Sequence, residues 1–223
     1  MINSAAVIIG DVCGSRKMAQ DARYEGQLYL KSAIIQINEK KAGVIEAPFM
    51  LTRGDEFQGV LPDLKNAFEV MLEFERLLFP LQIRYGIGLG TIQKMGSKIP
   101  VEMDGRAFHR ASEALSFLEK KKQITCCKTD NETSDLLINT ILNLMNAIKG
   151  KWNVLTFNRY WKYKEFGTLE KVALDEKVSA QAVWDSMHNM RVMEILEAED
   201  NLLLYLAAIN LLAVDINTNP VDL

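Results

Sequence analysis

The stretch LQIRYGIGLGTI, residues 81–92, carries glycine at every second position: Gly86, Gly88 and Gly90. Its isoleucines, leucines and tyrosine mark it as a β-strand. Glycine weakens a strand interior, so its repetition points to another backbone or a ligand approaching at close range. The flanking segments say what kind of sheet holds this strand. AAVIIGDV (5–12) is a short continuous apolar run ending at Gly-Asp, as a buried strand does. Residues 21–40 space Leu28, Leu30, Ala33, Ile34 and Ile37 at helical intervals and end near Gly43. APFMLTR (47–53) and FQGVLP (57–62) form two strands joined by GDE, a hairpin signal. DLKNAFEVMLEFERLLF (63–79) is helical, with Asp63 as N-cap. GRAFHRASEALSFLEKKK (105–122) is a further helix, and QITCCK (123–128) a further strand.

The order is βαββαβ followed by one more helix and strand. That is the ferredoxin-like plan with an added αβ unit: an α+β fold, mainly antiparallel, with helices expected on one face. ETSDLLINTILNLMNAIKG (132–150) then predicts a long helix leading out of the domain. The expected division is a sheet domain over 1–130, a linking helix over 131–150 and an all-helical domain over 151–223. Within the last, TLEKVALDEKVSAQAVWDSMHNMR (168–191) has helix-turn-helix spacing. Thr168 and Ser179 are the expected caps. Leu169, Val172 and Ala173 make one apolar face, and Val183 and Trp184 are expected to point inward. Trp152, Trp161 and Trp184, with Phe157, Tyr160 and Phe166, are the expected small core.

Charge and cysteine usage exclude several classes. With 223 residues, 48% of them hydrophobic, the chain is long and apolar enough to bury a core without staples. A net charge of −3 gives no general attraction to nucleic acid or anionic membrane. Residues 151–223 hold 7 Lys/Arg against 11 Asp/Glu, a net of −4. Gln181 offers a donor and acceptor to a base edge, but Asp185 beside it opposes phosphate, so DNA binding through 168–191 has weak support. The three cysteines are Cys13, Cys126 and Cys127, an odd count with two adjacent. This suits a reducing, cytoplasmic setting, with Cys126 and Cys127 on opposite faces of a strand. His109 and His188 are expected on helix surfaces and make no zinc spacing. The longest apolar run, NLLLYLAAINLLAV (201–214), is too short to span a bilayer. Packing into a core is the expected use of that helix; its apolar character also fits self-association, and a homodimer is expected.

The chemistry-bearing residues collect at two breaks. In the expected topology the end of the first strand and the tip of the hairpin share one rim, which brings Asp11 close to Asp55. Two converging carboxylates repel or share a cation, and Mg²⁺ takes one or two carboxylates plus water and phosphate oxygens. VCGSRK (12–17) follows Asp11 with backbone amides, Gly14, the Ser15 hydroxyl, Arg16 and Lys17, a loop suited to phosphates. On spacing alone the plainer alternative stands beside it: Asp in a Gly-Asp turn is routine.

RGDEFQG (53–59) resembles the GGDEF motif of diguanylate cyclases, with Arg53 in place of the first glycine. It is also similar to the hairpin of class III nucleotidyl cyclases. GDVCGS (10–15) is similar to the first metal segment of those cyclases, and LQIRYGIGLGTI to their Arg-hydrophobic-Gly-Ile strand. DGRAFHRASEAL (104–115) sits where they carry Gly-x-Ala-Val-Asn-x-Ala-Ala-Arg. The whole layout, a palm-like domain before a helix-turn-helix, resembles the bacterial SatD family, linked to acid tolerance. The resemblance implies Asp11 and Asp55 as Mg²⁺ ligands. It implies nucleotide contacts from Val12 (through its carbonyl), Cys13, Gly14, Ser15, Arg16, Arg53 and Gly54. Where class III cyclases place an Asn and an Arg, this chain has His109 and Glu113. An anion there opposes the charge that builds on transferring phosphates. The expectation is therefore a Mg²⁺-dependent nucleotide binder, possible in nucleotidyl transfer but without standard cyclase activity. The alternative is a nucleotide-sensing regulator acting through the helix-turn-helix.

Overall fold

A computed structural model of the chain describes residues 4–93 and 98–218, with side chains described as far as Ile209. The chain divides into two compact units, one holding residues up to Thr140 together with the chain from Leu203, the other Ile141–Leu202. The dividing points fall inside two helices, Glu132–Lys149 (α4) and Val192–Thr218 (α8).

The first unit is an α+β sheet protein. Its strands are β1 (Ser4–Val12), β2 (Ala47–Arg53), β3 (Glu56–Leu61), β4 (Ile83–Thr91) and β5 (Thr125–Lys128). Their helices are α1 (Gln20–Lys40), α2 (Leu64–Leu78) and α3 (Arg106–Lys121). The sheet order is β2-β3-β1-β4-β5. β1 lies between β3 and β4 and is antiparallel to both, and β5 joins parallel to β4. β1 is the centre because it is the most apolar strand: Ala5, Ala6, Val7 and Ile8 are fully buried. β2, at one edge, slips register twice against β3, between Ala47 and Met50 and between Leu51 and Arg53. The opposite edge, β5, is four residues long.

The glycines of β4 now have their neighbour. A Cβ built on Gly88 falls 2.2 Å from the Ala107 carbonyl oxygen, and one on Gly86 falls 2.3 Å from that of Ala111. The backbone of α3 therefore lies directly on β4, with buried Ala107, Ala111 and Ala114 keeping its underside shallow. The opposite face of the sheet carries an aromatic cluster: Phe57 against Phe74 of α2 at 4.7 Å between ring centres, with Phe49 and Tyr85 beside them. Helices thus cover both faces, which corrects the expectation of one helical face. The reason is the β4–β5 crossover: strands parallel to each other need a covering helix between them, and α3 takes the glycine side.

The unit Ile141–Leu202 is helical. It holds α5 (Val154–Phe166), α6 (Leu169–Glu176) and α7 (Ala180–Asn189), with parts of α4 and α8. Side-chain caps start three of these elements: Asn153 accepts from the Thr156 amide, Thr168 from Lys171 and Ser179 from Ala182. Val172, Val183, Met187 and Tyr160 fill its interior. Trp184 does not; it is 39% exposed and stacks on His188 at 5.2 Å. Val183 and Met187, four apart, take the inward face of α7, and Trp184 lies one residue round the helix from it. Glu199 is 1% exposed, held by Lys149 at 2.9 Å, Lys164 at 2.8 Å and the Tyr160 hydroxyl at 2.7 Å. Burial alone would raise its pKa, but the two lysines and these hydrogen bonds hold it below the ordinary glutamate value.

Candidate functional site

Asp11 stands at the last turn of the pleat before β1 ends, opposite Glu56 of β3 and Arg84 of β4 in the register. The hairpin turn is tight: the Asp55 amide donates to the Arg53 carbonyl, and Gly54 supplies the left-handed backbone at φ 63°. The Val12 amide donates to the Asp55 carbonyl at 3.3 Å, tying the hairpin tip to the end of β1. Asp11 and Asp55 therefore share one rim, and their charges repel: Asp55 is among the groups that push the Asp11 carboxyl upward.

Glu56, the second acid of the hairpin, accepts from the Thr52 hydroxyl at 2.9 Å. Asp55 has no side-chain hydrogen bond or ion pair among the described residues. Asp11 has a strong one. Arg84 grips it with two parallel bonds, Nε to Oδ1 at 2.8 Å and Nη2 to Oδ2 at 2.6 Å. The same Nη2 also reaches Glu119 of α3 at 3.3 Å. Burial raises the Asp11 pKa against the pull of Arg84, with Glu119 and Asp55 adding to the rise. Arg84 itself is held further into its charged form by the Asp11 hydrogen bonds.

The loop after β1 makes a short 3-10 turn over Ser15–Lys17, entered through Gly14 at φ 72°. The Cys13 amide is taken by the Gln82 carbonyl, while the amides of Gly14, Ser15 and Arg16 donate to nothing among the described residues. Ser15 is only 5% exposed. Burial raises the Cys13 thiol, so it is not an activated thiolate. Arg16 and Arg53 are exposed and unpaired among the described residues. Arg23 and Gln27 of α1 lean over the hairpin, their end groups 3.9 and 3.5 Å from where a Gly54 Cβ would sit.

The donor set fits a divalent cation that keeps most of its water. Asp55 could offer a carboxylate to such a cation, whereas both oxygens of Asp11 are bonded to Arg84. No group of three or more His, Cys, Asp or Glu side chains among the described residues forms a fuller cage. On α3, His109 is exposed and 3.2 Å from Asp104, and Glu113 pairs with Lys128 at 2.8 Å. Cys126 and Cys127 are both buried, and burial lifts the Cys126 thiol to about 11.

Sequence reasoning missed Arg84 and Glu119 as members of the site. The signal was present in outline: Asp11 and Arg84 sit at matching ends of neighbouring antiparallel strands, each one residue from a glycine or a tyrosine that fixes its face. The strand order was needed before they could be paired.

These features define an α+β sheet protein with a charged rim at the end of its central strand and a helical unit following. The chain belongs to the SatD family, whose model matches residues 5–188. No curated protein matches the chain. No helix among the described residues is long and apolar enough to cross a membrane.

Proposed function

We propose that the rim formed by Asp11, Asp55 and the 12–17 loop binds the polyphosphate of a nucleotide together with Mg²⁺. The strand order and pairing support a ferredoxin-like, palm-type plan for the first unit, with β5 and α3 as the added αβ pair. The observation that carries the reading is the tie between Val12 and Asp55, which brings the hairpin tip and the end of β1 to one rim. Mg²⁺ would neutralise charge on the phosphates, and Asp55 and Asp11 are the residues that would hold it. The loop over 13–16 would contact the phosphate oxygens through its backbone amides, and the Arg16 and Arg53 guanidinium groups would add charge.

Calorimetric titration of the full chain with nucleoside triphosphates, with and without Mg²⁺, tests this. Binding that needs Mg²⁺ and is lost in Asp55→Ala supports the reading; binding unchanged in that variant sinks it.

A second reading, a nucleotide sensor without turnover, is favoured by Glu113. Its carboxylate is exposed on α3 and paired with Lys128, where cyclases place a cation. In that reading the α6–α7 pair is a helix-turn-helix that passes the signal on. Gln181 donates to Asp185 at 2.8 Å, and this pairing together with the acidic balance of the helical unit favours a protein partner for α7, a second copy included, over DNA. Mass analysis of triphosphates after incubation separates the two: pyrophosphate or a cyclic product means catalysis, and intact nucleotide means sensing.

A further inference from the structure

The nucleotide site as proposed has a competitor built into it, and the inference below rests on that reading. Arg84 uses both oxygens of Asp11, one for Nε and one for Nη2. A cation that takes Asp11 as ligand must meet an oxygen already bonded to a guanidinium, and two cations on one small carboxylate repel strongly at such range. The pair is mostly enclosed, with side chains 18% and 16% exposed, so solvent screens that repulsion only in part. Arg84 has somewhere else to go. Glu119, on the last turns of α3 and half exposed, already stands 3.3 Å from Nη2. A small rotation of the guanidinium trades the 2.6 Å contact for a tighter one to Glu119 and frees Asp11 Oδ2.

We propose that Arg84 is an exchange residue: it covers Asp11 when no cation is bound, and it passes to Glu119 when a divalent cation competes for the carboxylate. Arg84 is then a positioning residue with two stations 73 and 35 positions away in the chain. In the first it keeps an otherwise unpaired, partly buried Asp11 compensated. In the second its fork stays at the rim, turned towards arriving phosphate oxygens, for which guanidinium geometry is well suited. The arrangement makes cation and polyphosphate binding mutually supportive, because each offers one of the separated charges a new partner.

The test is Mg²⁺ titration of the full chain by calorimetry, for the wild type, Arg84→Gln, Glu119→Gln, the double variant and Asp55→Ala. Arg84→Gln is expected to tighten Mg²⁺ by about tenfold or more, since the competing charge is gone. Glu119→Gln is expected to weaken it by about threefold to tenfold, and to have no effect in the Arg84→Gln background. A second readout is the Arg84 Nε–H resonance in nitrogen-15 spectra, expected to shift on Mg²⁺ addition to the wild type and to stay put in Asp55→Ala. Should Arg84→Gln fail to fold, the exposed Glu119→Gln change and this resonance carry the test. An equal effect of Glu119→Gln in both backgrounds, unchanged Mg²⁺ affinity in Arg84→Gln, or a static Arg84 resonance overturns the exchange. If one of these occurs while Asp55→Ala still abolishes Mg²⁺ uptake, the exchange fails and the cation site stands. Absence of Mg²⁺ uptake by every variant overturns both.

Discussion

Replacing Gly88 by alanine adds one methyl group, and the structure makes it among the most damaging small changes in the sheet unit. The new Cβ would sit 2.2 Å from the Ala107 carbonyl oxygen and 2.4 Å from the Ala111 amide nitrogen. Both are backbone atoms of α3, so no side chain rotates away to make room. Ordinary contact begins near 3.4 Å, so helix and strand must part by about 1 Å along the seam. A gap of that size forfeits roughly a quarter to a half of the dispersion attraction of the atoms facing it. Those atoms include the buried Ala107, Ala111, Ala114 and Leu118, and core overpacking without relief costs about 1–3 kcal/mol or more. We expect about 3 kcal/mol, a fall of about 1.5 M in the urea midpoint at a slope of about 2 kcal/mol/M. Gly26→Ala is the matched control: it lies inside α1 with nothing within 4 Å, and the change is expected to stabilise by about 0.5–1 kcal/mol. Circular dichroism of both variants through a urea series reads the two signs. A Gly88→Ala midpoint within about 0.2 M of the wild type would refute the account of the seam.

Other expectations concern single side chains. The Tyr85 hydroxyl is buried without a hydrogen-bond partner among the described residues, so Tyr85→Phe is expected to leave stability unchanged or raise it by up to about 1–3 kcal/mol; a clear loss in thermal melts would disprove this. Glu199 has a folded pKa below its ordinary value, so its contribution is present above the unfolded glutamate pKa of about 4.3 and is lost as pH falls through the folded value. All three tryptophans lie within Ile141–Leu202, so their fluorescence should report that unit loosening on acidification. Glu199→Gln is expected to cost about 3–5 kcal/mol at neutral pH and to flatten that acid dependence; an unchanged profile counts against the role given to Glu199. Trp152→Ala should cost about 3–5 kcal/mol because the ring is buried against Tyr160, whereas Trp184→Ala should cost about 1 kcal/mol at most, both read from chemical denaturation.

Local patterns were legible where a local cause sets them. Strand and helix order followed from the period of the apolar residues, and Asp63, Thr168 and Ser179 cap as their residue types and positions require. The close approach implied by Gly86, Gly88 and Gly90 was also legible, but not its partner: a helix backbone and a ligand leave the same trace in one strand. The Asp11–Arg84 pair spans 73 positions and depends on which strand lies beside which, so no window along the chain contains it. Trp184 lies off the inward face expected for it, because the four-residue step from Val183 to Met187 sets that face. Glu199 sits in a run of acids, EAED, that looks like a solvated helix face; only Lys149 and Lys164 arriving from two other helices turn it into a buried anion.

A border strand offers unpaired amides and carbonyls to any passing extended chain, and such borders seed aggregation when they are long and flat. Here one border, β2, is kinked by two slips in its pairing, and the other, β5, stops after four residues at Lys128. Neither presents a ruler against which a foreign segment could lie in step for more than a few residues. The irregular margins of the sheet leave little continuous edge on which another extended chain could add.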